Sequence, residues 1–153
     1  MKLNKYQIAI IIGILSVILV AWIDIQGFNL LGDKYTNGDF SSNVWPHHLL
    51  TAIIIFLIPA LCYFFFYRRD KSETLAIFLT GLTLFYFSLA DIFYFWLQNK
   101  SIPETLSWLT NHPIIGKVAL LTNNLVTPIT LYTSVVLGFI LVYFITKFLK
   151  DKF

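Results

Sequence analysis

Four long apolar runs, separated by short polar segments, organise the chain: residues 6–26, 48–67, 74–98 and 118–147. Each matches or exceeds the roughly 20 residues with which an α-helix crosses a bilayer. The segment between the first two runs, GFNLLGDKYTNGDFSSNVWP, is rich in Gly, Asn, Asp and Ser and reads as a turn-forming loop. The second and third runs are joined by a tight charged turn, RRDKSE. The third connection, NKSIPETLSWLTNHPIIGK, places Pro103 where a first helical turn begins, with Glu104 beside it and Trp108 and Leu109 as an apolar face, which predicts a short helix lying in the membrane interface. The expected fold is therefore an all-α integral membrane protein: a four-transmembrane-helix bundle forming one domain over residues 1–153.

Within each run, residues three or four apart share a helical face. The first gives Gly13, Ser16, Val20, Asp24 and Gly27; the second gives His48, Thr51, Ile55, Pro59 and Cys62; the third gives Thr80, Leu84, Ser88, Asp91, Tyr94 and Gln98; the fourth gives Asn123, Thr127, Thr130, Ser134 and Gly138. Helices associate in lipid through small residues that permit close approach and through hydrogen bonds across the interface, so these stripes predict the inward faces. The second stripe selects His48 over His47 as the inward histidine. Pro59 and Pro128 are expected to kink their helices.

Composition supports the same class. Hydrophobic residues make up 58% of the chain and charged ones 12%, half the roughly 25% of a soluble domain. The first run is longer than the 7–15 residues of a signal-peptide core, and its end, AWIDIQG, lacks a small-x-small site, so a retained anchor is expected. Charge supplies the orientation. An even number of crossings puts Lys2, Lys5, Arg68, Arg69, Lys71, Lys147, Lys150 and Lys152 on one side, against Lys34, Lys100 and Lys117 on the other. The positive-inside rule then predicts both termini in the cytoplasm of a multi-pass cell-membrane protein, and accounts for the net charge of +3 without nucleic acid.

The acids and histidines fall mainly toward the outer face. Asp24 ends the first span, His48 opens the second, Asp91 lies about seven residues (~10 Å) inside the end of the third, and Asn123 and Asn124 lie near the start of the fourth. An acid within a membrane normally faces the bundle interior and has a partner. For Asp91 the candidates are His48, Tyr94 and Asn123, which gives an expected polar cluster of Asp24, His48, Asp91, Tyr94, Asn123 and Asn124. Three uses fit it: a structural hydrogen-bonded network, an ion or proton path, and a metal site on His48, Asp91 and Asp24. Imidazole and carboxylates make copper or zinc the candidate cofactors, although no HxxxH or HxxE occurs within a helix. A haem would need His48 and His112 as axial ligands, and His112 stands in a loop before Pro113. Glycine-rich phosphate loops, GxSxG and HExxH are absent, and lone Cys62 reads as a packing residue.

The order of several motifs resembles the C subunit of the copper membrane monooxygenases that oxidise ammonia or methane. These are the acid at the end of the first span, WPHH (Trp45–His48) entering the second, YRRDK leaving it, DIFYFW (Asp91–Trp96) in the third, and the proline-containing loop with Trp108. The family's copper ligands are a carboxylate or amide, a histidine one turn later and a histidine in the next segment. The matching places here hold Asp91, Tyr94 and the region of Ser107–His112, so the resemblance implies a rearranged copper site and a non-catalytic subunit.

Two function classes stand. One is an integral subunit or accessory protein of a larger membrane complex, in contact with other membrane-protein subunits or further copies of itself and with lipid. The other is a self-contained metal-dependent membrane enzyme or ion or small-molecule transporter using the outer Asp/His cluster.

Overall fold

In the computed structural model, residues 4–31, 44–68, 70–121 and 125–152 are described. The regular elements among them are all helical: α1 (Lys5–Leu31), α2 (Val44–Tyr63) running into a π-turn (Phe64–Arg68), α3 (Lys71–Tyr86), α4 (Leu89–Leu97), a 3₁₀ turn (Ser107–Leu109), α5 (Ile115–Leu120) and α6 (Pro128–Lys152). Three stretches, Lys5–Gly27, Leu50–Tyr67 and Pro128–Lys152, are long and apolar enough to cross a membrane, and a fourth crossing exists if α3 and α4 together form one bent span.

The central helix is α3, which packs against α1, α2 and α6. Close approach explains how. A Cβ on Gly13 of α1 would lie 2.7 Å from Thr80 Cγ2, and one on Gly81 of α3 would lie 2.6 Å from Phe56 Cδ1 on α2. Helices this close gain dispersion contacts, the main attraction available between helices in lipid. At one end of the bundle Tyr6, Ala9, Tyr63, Ala76 and Leu149 share a core, so the start of α1, the end of α2, the start of α3 and the end of α6 meet there. This is called the terminal end below, and the opposite one the far end.

Sequence periodicity located three of the four inward faces. Ser16 and Val20 on α1, Thr80, Leu84 and Ser88 along α3 and its end, and Thr130 and Ser134 on α6 are buried. On α2 the buried line is Ala52, Phe56, Ala60 and Tyr63, while Thr51 and Cys62 of the expected stripe are exposed. The reason is the Phe56 ring filling the notch left by Gly81, a large-into-small fit that a search for small residues overlooks. Cys62 is accordingly an exposed free thiol rather than a packing residue.

Three boundaries also differ. The third apolar run is two helices bent by 73°. The fourth starts as the separate short α5 and resumes at Pro128, which is the first residue of α6 and no kink. That position suits proline, because its missing N–H would have no partner in a first turn. Pro59 does lie inside α2. In the connection between the third and fourth apolar runs, residues 101–106 are non-helical, and the helix expected from Pro103 is a single turn at Ser107–Leu109. Leu106 and Leu109 are drawn into the core while Trp108 stays exposed. This burial of two residues three apart suits one 3₁₀ turn better than a helix lying flat.

Candidate polar sites

The break between α3 and α4 sits at Ser88, which has φ 67° and ψ 21°. That left-handed conformation costs a residue with a Cβ roughly 1 kcal/mol, and neither Gly nor Pro marks it in the sequence. Phe87 N–H donates to Thr83 O (3.0 Å) and Ser88 N–H to Phe85 O (3.0 Å), closing α3, while Ser88 O accepts from Ile92 N–H (3.3 Å) as α4 opens. The far end of α4 closes similarly: Asn99 has φ 53°, and Lys100 N–H donates to Phe95 O and Asn99 N–H to Trp96 O, both at 3.0 Å.

The bend changes the depth of Asp91. Along its own axis α3 is about 24 Å long, and α4, inclined by 73°, adds only about 4 Å to that direction. Asp91, in the first turn of α4, therefore lies about 3 Å below the level of Leu97 rather than the ~10 Å expected of a straight helix. It occupies the rim of the far end, under the oblique α4.

Here α1 packs on α4, and Asp24 and Asp91, each half-buried, lie close enough for the charge of Asp91 to be felt at Asp24. The Ser88 hydroxyl adjoins the Asp91 carboxylate, is fully buried, and closes no hydrogen bond. Of the other expected members, Tyr94 is half-buried on α4 and packs against the main core, its carbonyl accepting from Gln98 Nε2 at 3.2 Å. The His48 side chain, Asn123 and Asn124 lie outside the described residues. The expected metal set thus brings together Asp24 and Asp91. No group of three or more His, Cys, Asp or Glu gathers among the described residues.

His112 is buried in the loop before α5. Its Nδ1 accepts from the N–H groups of Ile114 (3.2 Å) and Ile115 (3.3 Å), and its ring stands edge-on to Tyr86 with centroids 6.3 Å apart. Accepting two N–H groups requires Nδ1 to carry no proton, and burial lowers the imidazole to a pKa of about 4. His112 is a neutral side chain that organises the start of α5.

A second polar cluster, at the terminal end, was not singled out by the sequence. Asp70 caps α3: its Oδ1 accepts from Ser72 N–H (2.8 Å), Glu73 N–H (3.2 Å) and the Ser72 hydroxyl (2.7 Å). Lys5 Nζ reaches Asp70 Oδ2 at 3.2 Å, and the hydroxyls of Tyr6 and Ser72 are 3.4 Å apart. Glu73 has no exposed surface and accepts a hydrogen bond from the Tyr63 hydroxyl. The hydrogen bond from Ser72, the Glu73 amide and Lys5 hold Asp70 at a pKa of about 2. The signal was present as D-K-S-E, an N-cap followed three residues later by an acid and then an apolar run, within what reads at first as a charged loop.

No protein-family model matches the chain, and neither does any curated protein or solved structure. The likeness to copper monooxygenase C subunits therefore rests on the sequence motifs alone.

Proposed function

We propose that this is a multi-pass protein of the cell membrane, both termini cytoplasmic, whose Asp24/Asp91 pair at the outer rim holds a proton or a small cation and serves ion or small-molecule transport. One observation carries the reading: α1 packs on α4 at a helix break, which puts the carboxylates of Asp24 and Asp91 within electrostatic reach of each other, while the Lys5–Asp70 ion pair is at the opposite end. Two like charges at a low-dielectric rim repel, and a proton or cation between them removes the repulsion. Broken membrane helices are a recurrent setting for such ions. The described donors, two carboxylates and a hydroxyl, are all oxygen, which suits a hard cation better than copper or zinc.

Proteoliposomes containing a pH-sensitive dye test this. Wild-type protein should move protons in response to an imposed Na⁺ or K⁺ gradient, and Asp24→Asn and Asp91→Asn should abolish the response while leaving the gel-filtration profile unchanged. A silent wild type, together with no effect of cations on its thermal stability, would dismiss the proposal.

A second reading, an integral subunit or accessory protein of a larger membrane complex, is favoured by α6. This helix buries Thr130, Ser134, Gly138, Val142 and Leu149 and turns Tyr132, Tyr143, Phe144 and Phe148 outward, a flank suited to lipid or to neighbouring helices. Gentle solubilisation followed by mass measurement separates the two: distinct co-purifying subunits support the second, and a monomer or homo-oligomer the first.

A further inference from the structure

Where α2 runs into its π-turn, it opens a groove of about 380 Å³ against α3. Leu57, Leu61 and Phe64 form one wall, and Leu75 and Phe78 the other, with Lys71 at the mouth. Seven residues separate Leu57 from Phe64 on one wall and Lys71 from Phe78 on the other, so the groove runs about 10 Å along the helices. Its volume falls within the roughly 300–1,000 Å³ of small-molecule sites, but its lining is apolar and its side is open.

The mouth gives the groove its chemistry. Lys71 is exposed at the first position of α3 and makes no hydrogen bond or ion pair among the described residues, whereas Lys5 nearby is engaged by Asp70. An exposed ammonium that has no partner among the described residues, at the end of an apolar groove, complements a ligand with an anionic head and an alkyl tail. We propose that the groove is a binding site for one anionic phospholipid, its acyl chain along Leu61 and Leu75 and its phosphate on Lys71. Basic positions between membrane helices recognise lipid head groups in this way.

The test is native mass spectrometry of the full chain in mild detergent, with phosphatidylglycerol and phosphatidylcholine of identical acyl chains supplied in equal amounts. Wild-type protein should retain one phosphatidylglycerol in about fivefold preference, the worth of one basic side chain at an anionic surface. Lys71→Gln should erase the preference, and Lys71→Glu should reverse it. Because Lys71 has no described partner and a negative charge suits the first turn of a helix, both variants should melt like the wild type. Leu61→Trp, at an exposed wall position, should lower retention of both lipids. Equal retention by the wild type, a preference that survives Lys71→Gln and Lys71→Glu, or a second copy of the chain in place of lipid would each overturn the site.

Discussion

The two acidic clusters of this bundle, one at each end, are satisfied in opposite ways. At the terminal end Asp70 has three donors and a lysine, Ser72 meets Tyr6, and Glu73 is met by Tyr63. At the far end two carboxylates lie within electrostatic reach of each other, with the buried Ser88 hydroxyl closing no hydrogen bond near Asp91. A satisfied network fixes geometry, because every member loses if one moves. An unsatisfied one leaves binding capacity unused within the fold, and that is why the far end carries the functional proposal and the terminal end does not. The contrast predicts that substitutions in the Asp70/Glu73 cluster remove stability, while those at the Asp24/Asp91 pair remove function.

The largest effect is expected from Glu73→Ala. It deletes a fully buried carboxyl group, leaves the Tyr63 hydroxyl without its acceptor and opens a void, at a cost of about 3 kcal/mol. Thermal melts in detergent should show a large loss of folded protein. A melting temperature close to wild type would mean that the cluster does not clamp α1, α2 and α3 together.

Acid should separate the two ends next. His112 is neutral when folded and has its pKa lowered from 6.5 to about 4, so its contribution is complete above pH 6.5 and is lost as pH falls toward 4. A shift of that size corresponds to about 3 kcal/mol at most. Asp70 is held at about 2 against an ordinary 3.8, so the α3 cap is intact above pH 3.8 and fails only as pH drops toward 2. Hydrogen exchange followed by region should show the loop before α5 loosening first and the start of α3 last. The reverse order would break the comparison.

What the sequence disclosed, and what it hid, follows the same division. The apolar runs and three of four inward faces were legible because hydrophobic periodicity and small-residue spacing are local properties. Three features were not. The break at Ser88 lies in FYFSLADIFYFW, where apolar residues continue through it and the left-handed residue is a serine; only the spacing from Ser88 to Asp91 hints at a new helix start. The inward face of α2 depended on a partner, Gly81, that is 25 positions from Phe56. The terminal cluster joins Lys5 to Asp70 across 65 positions, and such a meeting is a product of the fold. Asp24 and Asp91 were singled out as site residues because acids in apolar runs are conspicuous. The packing of α1 on α4, which brings them within electrostatic reach of each other, is what the structure adds.

A smaller effect, of opposite sign, is expected at the far-end acids. Asp24→Asn or Asp91→Asn removes one of two like charges without changing side-chain size, so in cation-free buffer each should leave stability unchanged or raise it by about 1 kcal/mol. The same change at Asp70 removes the Lys5 pair and should lower it slightly. A marked loss of stability in Asp91→Asn would move that carboxylate into the class of Glu73 and take the functional proposal with it.

The finest comparison is within one residue. Ser88 combines a strained backbone, at φ 67°, with a buried hydroxyl that closes no hydrogen bond. Ser88→Gly relieves the strain and removes the hydroxyl, but gives the unfolded chain more freedom to lose, so the net gain should be about 0.5 kcal/mol. Ser88→Ala removes the hydroxyl and keeps the strain, and should fall between wild type and Ser88→Gly in stability. If the hydroxyl serves the acid pair, both variants should weaken the cation-dependent response equally despite their different melting temperatures. If the response follows backbone strain instead, Ser88→Ala should retain it and Ser88→Gly should lose it, and the hydroxyl would then be a by-product of the bend rather than a part of the site.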